Sequence, residues 1–227
     1  MTRIAALLTA AVTMAALACS VSADAQRRGR PGEIPLGANP SAVIAAELAF
    51  ARAAQEKGQW TAFAEYAADD AVMFVPQAVK AKDWLKKQKN PPKAVAWQPH
   101  HVWSSCDGTL AVTKGAWQQA DGTSGYFTTI WQRQKKRDGS YKWVLDQGDT
   151  LAQPLEAPEF LQAEVADCPR GRRAPLNAVT EPKSSNDGTL RYDWNVAENG
   201  ARHLEVRMLV DGEMKTVLTS DVDAAGQ

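Results

Sequence analysis

The sequence predicts an α+β fold, and three observations predict it. Apolar residues recur with helical spacing from Ser41 until Gly58, and two β-branched and aromatic runs joined at Asp138-Gly139 fill Gly122 to Asp149. Strict apolar-polar alternation returns between Leu190 and Ser220. The Gly122 to Asp149 segment reads as a long β-hairpin whose Trp131 and Trp143 are too large to leave exposed on an isolated ribbon. The helix beginning at Ser41 supplies the apolar cover.

Taken in order, Ser41 follows Pro40 as a helix N-cap, and Val43, Ala46, Leu48, Phe50 and Ala54 carry the helical recurrence. A second short helix, Trp60 to Tyr66, turns Trp60, Phe63 and Ala64 inward and is broken by Asp69-Asp70; Ala71 to Val75 is then a strand ending at Pro76. Lys82 to Lys89 reads as a basic third helix with Trp84 and Leu85 inward, stopped by Asn90-Pro91-Pro92. Val95 to Ser104 and Leu110 to Gln119, joined around Asp107-Gly108, complete a four-stranded meander with the hairpin. Ala157 to Val165 reads as one more helix and Asp167 to Asn186 as a linker. Beyond the linker, alternating runs turn at Asn199-Gly200 and Asp211-Gly212 to make a small β-meander, which needs the rest of the protein or a partner to pack on.

Three stretches resemble a known family in their order and separation: Gly58-Gln59 between the helices, Tyr66-Ala67-Ala68-Asp69-Asp70-Ala71-Val72 after them, and Gly139-Ser140-Tyr141-Lys142-Trp143-Val144-Leu145-Asp146 in the closing strand. The family is the nuclear transport factor 2-like superfamily, the SnoaL-like and ketosteroid-isomerase group. The resemblance covers Ser41 to Thr150 and implies a cystatin-like cone, a curved antiparallel sheet wrapped on N-terminal helices with a pocket between them. It also implies a homodimer through the open sheet face. The expected division is a signal peptide over 1–25, a lead-in over 26–40, the family domain over 41–153, a helix and linker over 154–187, the meander over 188–222 and a tail over 223–227.

Lys+Arg 26 against Asp+Glu 26 gives zero formal charge, which removes the broad electrostatic footprint of a nucleic-acid binder. The tryptophans, concentrated between Trp84 and Trp143, suit a packed aromatic core or a pocket lining. The N-terminus reads as an export signal. Arg3 starts it, Ile4 to Ala18 is too short an apolar stretch to span a bilayer, and Ala23-Asp24-Ala25 offers the cleavage pattern, leaving a periplasmic or secreted chain. Ala16-Leu17-Ala18-Cys19 offers the alternative of a lipid anchor at Cys19. In an exported chain Cys106 and Cys168 form an even pair, open to a disulfide or to two buried free thiols.

The resemblance implies three positions for isomerase chemistry. The pocket tyrosine falls at Ala51, the carboxylate before the strand-ending proline falls at Val75, and the third acid should lie in Gly125 to Gln134, which holds no Asp or Glu. All three roles are empty. No Gly-x-Ser-x-Gly elbow, phosphate-binding loop or His-Glu-x-x-His helix is present. His100 and His101 are strand neighbours pointing to opposite faces, so no metal or other cofactor is expected. His101 shares strand parity with Trp97 and Trp103, and Asp146 lies near the end of the last strand; the two form an acid/base pair only if they enter one cavity. The expectation is a small apolar or aromatic ligand bound among Trp60, Val75, Trp97, Trp103, Trp131 and Trp143. The alternatives are an enzyme of isomerase, cyclase or hydratase type using His101 and Asp146, and a protein-interaction module.

Overall fold

The structure is a computed structural model that describes residues 37–135, 139–168 and 183–224. The expected signal peptide with Cys19, most of the lead-in, Asp138 of the hairpin turn, most of the linker and residues 225–227 lie outside the described residues. Helix α1 (Pro40–Lys57) is capped by Asn39 rather than Ser41: Asn39 Oδ1 accepts from the Ala42 amide at 3.2 Å, and Pro40 takes the first turn, where its missing N–H is no loss. Gly58 ends α1 with φ 98°, and α2 (Gln59–Tyr66) begins at once. Asn90 explains this junction. Its side chain fills the space a Cβ at Gly58 would need, while its Oδ1 accepts from the Trp60 and Thr61 amides at 2.7 and 3.2 Å. A residue that reads as a helix stop thus serves the start of another helix.

Strand β1 (Ala67–Phe74) follows α2 directly. Asp69-Asp70 does not interrupt the chain; the pair sits exposed within the strand, at an irregularity in its pairing. After a cis Val75-Pro76 bond, β2 (Ala78–Lys80) folds back on β1. Helix α3 (Ala81–Leu85) is shorter than Lys82 to Lys89 and buries Leu85, with Trp84 half-buried.

Strands β3 (Ala96–Ser104), β4 (Leu110–Gln118), β5 (Ser124–Arg133) and β6 (Tyr141–Leu151) form the antiparallel meander. β1 joins the β6 edge in parallel, and β7 (Gln162–Val165) joins the β3 edge, also in parallel. β7 replaces the helix expected over Ala157 to Val165. All of its residues are exposed, so there is no apolar stripe for a helix to bury, and its backbone satisfies the open edge of β3 instead. The sheet is curved and unclosed, and α1 and α2 fill its concavity: Val43, Phe50, Ala54 and Ala62 pack with Val102, Ala111, Trp131 and Trp143.

The convex face is also covered. Strands β8 (Leu190–Val196), β9 (Arg202–Val210) and β10 (Glu213–Val222) make the C-terminal meander, and Leu190, Leu204, Val206 and Met208 pack on Leu110, Val112, Ile130 and Leu145. Burial therefore runs almost unbroken along β5, whose side chains meet helices on one face and the meander on the other. The sheet face on which the resemblance places a dimer contact is, over these residues, occupied by the chain's own meander.

An internal repeat makes the junction. Ser104-Ser105-Cys106-Asp107-Gly108-Thr109-Leu110 and Ser184-Ser185-Asn186-Asp187-Gly188-Thr189-Leu190 differ only at their third residue. Each folds into the same turn: the Ser105 and Ser185 hydroxyls donate to Asp107 and Asp187 at 2.7 Å and accept from the Leu110 and Leu190 amides at 3.2 and 3.1 Å. The turns then clasp each other reciprocally. The Asp107 amide donates to Asp187 Oδ2 at 2.8 Å and the Asp187 amide to Asp107 Oδ2 at 3.0 Å. The Cys106 and Asn186 amides donate to the hydroxyls of Thr189 and Thr109, each at 2.9 Å. A Cys106–Cys168 disulfide ties the segment after β7 to the same clasp.

Candidate functional site

Between the helices and the sheet lies a cavity of about 370 Å³. Phe50 and Phe63 wall it from the helices, and Trp97, Trp117 and Phe127 wall it from the sheet; Gln119 and Thr150 stand at its exposed rim. Trp117 is fixed in place. Its Nε1 donates to the Tyr126 carbonyl at 2.9 Å, and its ring occupies the space a Cβ at Gly125 would need, so the indole lies flat on β5 because residue 125 is a glycine.

Two β-bulges decide which side chains enter this cavity. A strand that gains one residue against its partner flips every side chain beyond that point to the other face. On β6 the register skips at Val144: Trp143 pairs with Trp131 and faces the helices, Leu145 pairs with Ile130 and faces the meander, and Asp146 therefore turns inward opposite Thr129. On β3 the register skips at His100. Trp97 stays on the concave face, whereas His101 and Trp103 emerge on the convex one.

Asp146 is the carboxyl group inside a wall of aromatic rings and the neutral polar side chains of Gln59, Gln119, Thr129, Gln147 and Thr150. Its Oδ2 accepts from the Thr129 hydroxyl at 2.7 Å, its cross-strand neighbour. The carboxyl keeps a partial opening to the cavity but is otherwise encased, and this burial pushes its pKa up from 3.8 to about 7; the Thr129 hydrogen bond pulls the other way and the nearby Glu47 charge adds to the rise. Glu47 sits deeper, fully buried on α1. Its Oε1 accepts from Trp97 Nε1 at 2.7 Å and its Oε2 from the Thr113 hydroxyl at 2.6 Å and Trp131 Nε1 at 3.0 Å. Burial raises its pKa against those three donors. Glu47 thus orients two of the cone's tryptophans, one of which lines the cavity.

The residues singled out from sequence disperse. Trp97 lines the cavity. Trp131 and Trp143 are fully buried in the core, Trp60 packs edge-on against Phe63 and Trp84, and Val75 packs beside the core. Trp103 lies on the convex face, stacked on His101 at 3.9 Å between ring centroids. His101 Nε2 lies 2.8 Å from Glu164 Oε1 of β7, with the sheet between it and Asp146, so the proposed acid/base pair does not exist. The alternation that placed His101 beside Trp97 fails because the bulge at His100 breaks it. Glu47, Phe63, Trp117, Phe127 and Thr129 complete the site and were not legible as such. Glu47 had a signal: it stands four residues after Val43 and three before Phe50, on the buried stripe, while Leu48 is 46% exposed.

Among the described residues no group of three or more His, Cys, Asp or Glu side chains could hold a metal ion, and no helix is long and apolar enough to cross a membrane.

No protein-family model matches the chain, and no curated protein matches it either. Solved structures do. The CaMKII hub of S. rosetta is 16% identical over 52% of this chain and 100% of its own, with a TM-score of 0.39. An NTF-2 like protein of unknown function from Burkholderia xenovorans is 19% identical over 52% of this chain and 89% of its own, with a TM-score of 0.34. An NTF2-like protein of unknown function from Mesorhizobium loti is 16% identical over 50% of this chain and 93% of its own, with a TM-score of 0.31. With α1 and α2 in the concavity of β1 and β3 to β6, the chain has the α+β cone that the sequence resemblance implies, extended by a C-terminal meander on the convex face.

Proposed function

We propose that the protein is exported and that its cone binds a small, largely apolar or aromatic ligand without turning it over. The observation that carries this reading is the cavity walled by Phe50, Phe63, Trp97, Trp117 and Phe127 with one inward carboxyl group, a lining of the kind that buries an apolar molecule and orients it through a few polar contacts. The emptiness of the isomerase positions at Ala51 and Val75 supports binding over that chemistry, and the Arg3 to Ala25 pattern supports export. Trp97 and Trp117 report on the cavity. Titrating the protein with small aromatic compounds should give a saturable change in tryptophan emission that disappears in Val95→Trp, which fills the cavity. An identical response in that variant would contradict cavity binding.

One observation favours a second reading. A carboxyl group in a cavity with a pKa of about 7 is matched to proton transfer near neutral pH, as a general base acting on a carbon acid requires. On that reading a bound ketone would exchange its α-hydrogens with deuterated water faster than in solution, and Asp146→Asn would abolish the acceleration; no acceleration in the parent protein leaves binding alone.

A further inference from the structure

The charge of the lining narrows the ligand class, on the reading that the cavity is a ligand site. No Lys, Arg or His is among the lining residues; Asp146 is the acid that faces the interior, while Asp149 pairs with Tyr126 and its carboxylate acts on Tyr126 and Arg202. Around Asp146 stand Glu47 from α1, Gln59 and Phe63 of α2 across the cavity, Thr129 from β5 and Met73, its pairing partner on β1. None can supply positive charge. Lys114 belongs to the convex side, paired with His101 and placed over the Tyr126 ring, and Arg202 reaches the sheet from β9, donating to the Gly148 carbonyl at 2.8 Å. A molecule bearing a carboxylate or phosphate would therefore meet like charge and no cationic side chain, with neutral Gln59, Gln119, Thr129, Gln147 and Thr150 and the aromatic rings as the rest of the wall. A cation would meet a carboxylate in a wall that carries the aromatic rings of Trp97, Trp117, Phe50, Phe63 and Phe127, the combination that recognises ammonium groups.

We propose that the cavity takes an organic cation, an ammonium on an aromatic or compact alkyl body, with its charged nitrogen facing the ionised Asp146 and its apolar part against the tryptophans. Thr129 is the one hydrogen-bond partner of Asp146 among the described residues, and it engages Oδ2, so Oδ1 remains for the ligand. The cation binds the ionised carboxylate, so its affinity rises with pH as Asp146 loses its proton and is fully developed above that transition.

Phenyltrimethylammonium and its neutral isostere tert-butylbenzene test this directly, since neither changes charge with pH. Binding of each is measured by calorimetry and tryptophan emission at about pH 8.5 and about pH 5.5, on either side of the Asp146 transition near 7, in the parent protein and in Asp146→Asn. The expected result is a preference for the cation of about tenfold at the higher pH. That preference should vanish at the lower pH and in the variant, whose retained affinity for the isostere shows that its cone is intact. If the isostere binds as tightly as the cation at both pH values, the cation assignment is overturned while the ligand cavity stands. If neither compound binds at millimolar concentration, both the assignment and the ligand-site reading fall.

Discussion

Asp146 and Glu47 are carboxyl groups held where water reaches poorly, and pH should register that. The folded pKa of Asp146 lies at about 7 against an ordinary 3.8, so between those values the folded state keeps a proton that the unfolded chain has lost. Stability therefore falls as pH rises from about 4 to about 7 and levels off above, the reverse of a salt-bridged aspartate. Melting temperatures across that range should decline, and Asp146→Asn should flatten the decline, leaving the part due to Glu47, whose pKa is shifted in the same direction. A decline unchanged in the variant would contradict the placement of Asp146. Glu47→Ala should cost about 3 kcal/mol in urea unfolding, because Trp97 would be left a buried donor without its acceptor and the bonds that Trp131 and Thr113 make to the carboxyl would be lost, leaving Trp131 only the Thr113 hydroxyl and Thr113 only the distant Thr129 carbonyl. Glu47→Gln, which keeps an acceptor oxygen, should cost clearly less.

At the scale of elements, the sequence was legible wherever a period ran unbroken. The α1 recurrence, the β5 and β6 hairpin and the alternation of β8 and β9 all show in the residues because one face of each is buried continuously. Illegibility begins at Val144 and His100, where a single inserted residue leaves composition unchanged yet exchanges the faces of the sheet. There Trp103, expected in the pocket, and His101 lie on the convex side, while Asp146 faces the cavity. The edge strand β7 was hidden for a different reason. Its pairing is backbone to backbone and leaves no pattern in exposed side chains. The paired Ser-Ser-x-Asp-Gly-Thr-Leu turns are open to the eye, but their reciprocal docking requires the fold. Asp107→Ala and Asp187→Ala should each destabilise by about 2 kcal/mol, and the double variant by less than the sum, since losing either carboxylate already undocks the turns and weakens the reciprocal bond to the other. Strict additivity by chemical denaturation would show that the turns do not act as one clasp.

For the whole molecule, the meander turns a sheet with one free face into a middle layer. Tyr126 accepts from the Ser220 hydroxyl at 3.0 Å, Phe74 meets Trp194 edge-on at 5.3 Å, and Gln77 donates to the Glu198 carbonyl at 3.0 Å, so polar and aromatic contacts surround the apolar patch. A chain ending before Leu190 would expose Val112, Ile130 and Leu145 together, a contiguous apolar surface that drives association. Sedimentation should find that truncated chain oligomeric or insoluble; a stable monomer would show that the meander is dispensable cover. Covering the convex face leaves the cone interior as the place for a small molecule, and the decisive measurement is native mass spectrometry of the protein purified from its native source. A small-molecule adduct that is retained by the parent protein and lost in Val95→Trp is the predicted result. An adduct-free parent, or an adduct that persists when the cavity is filled, would contradict a ligand in the cone.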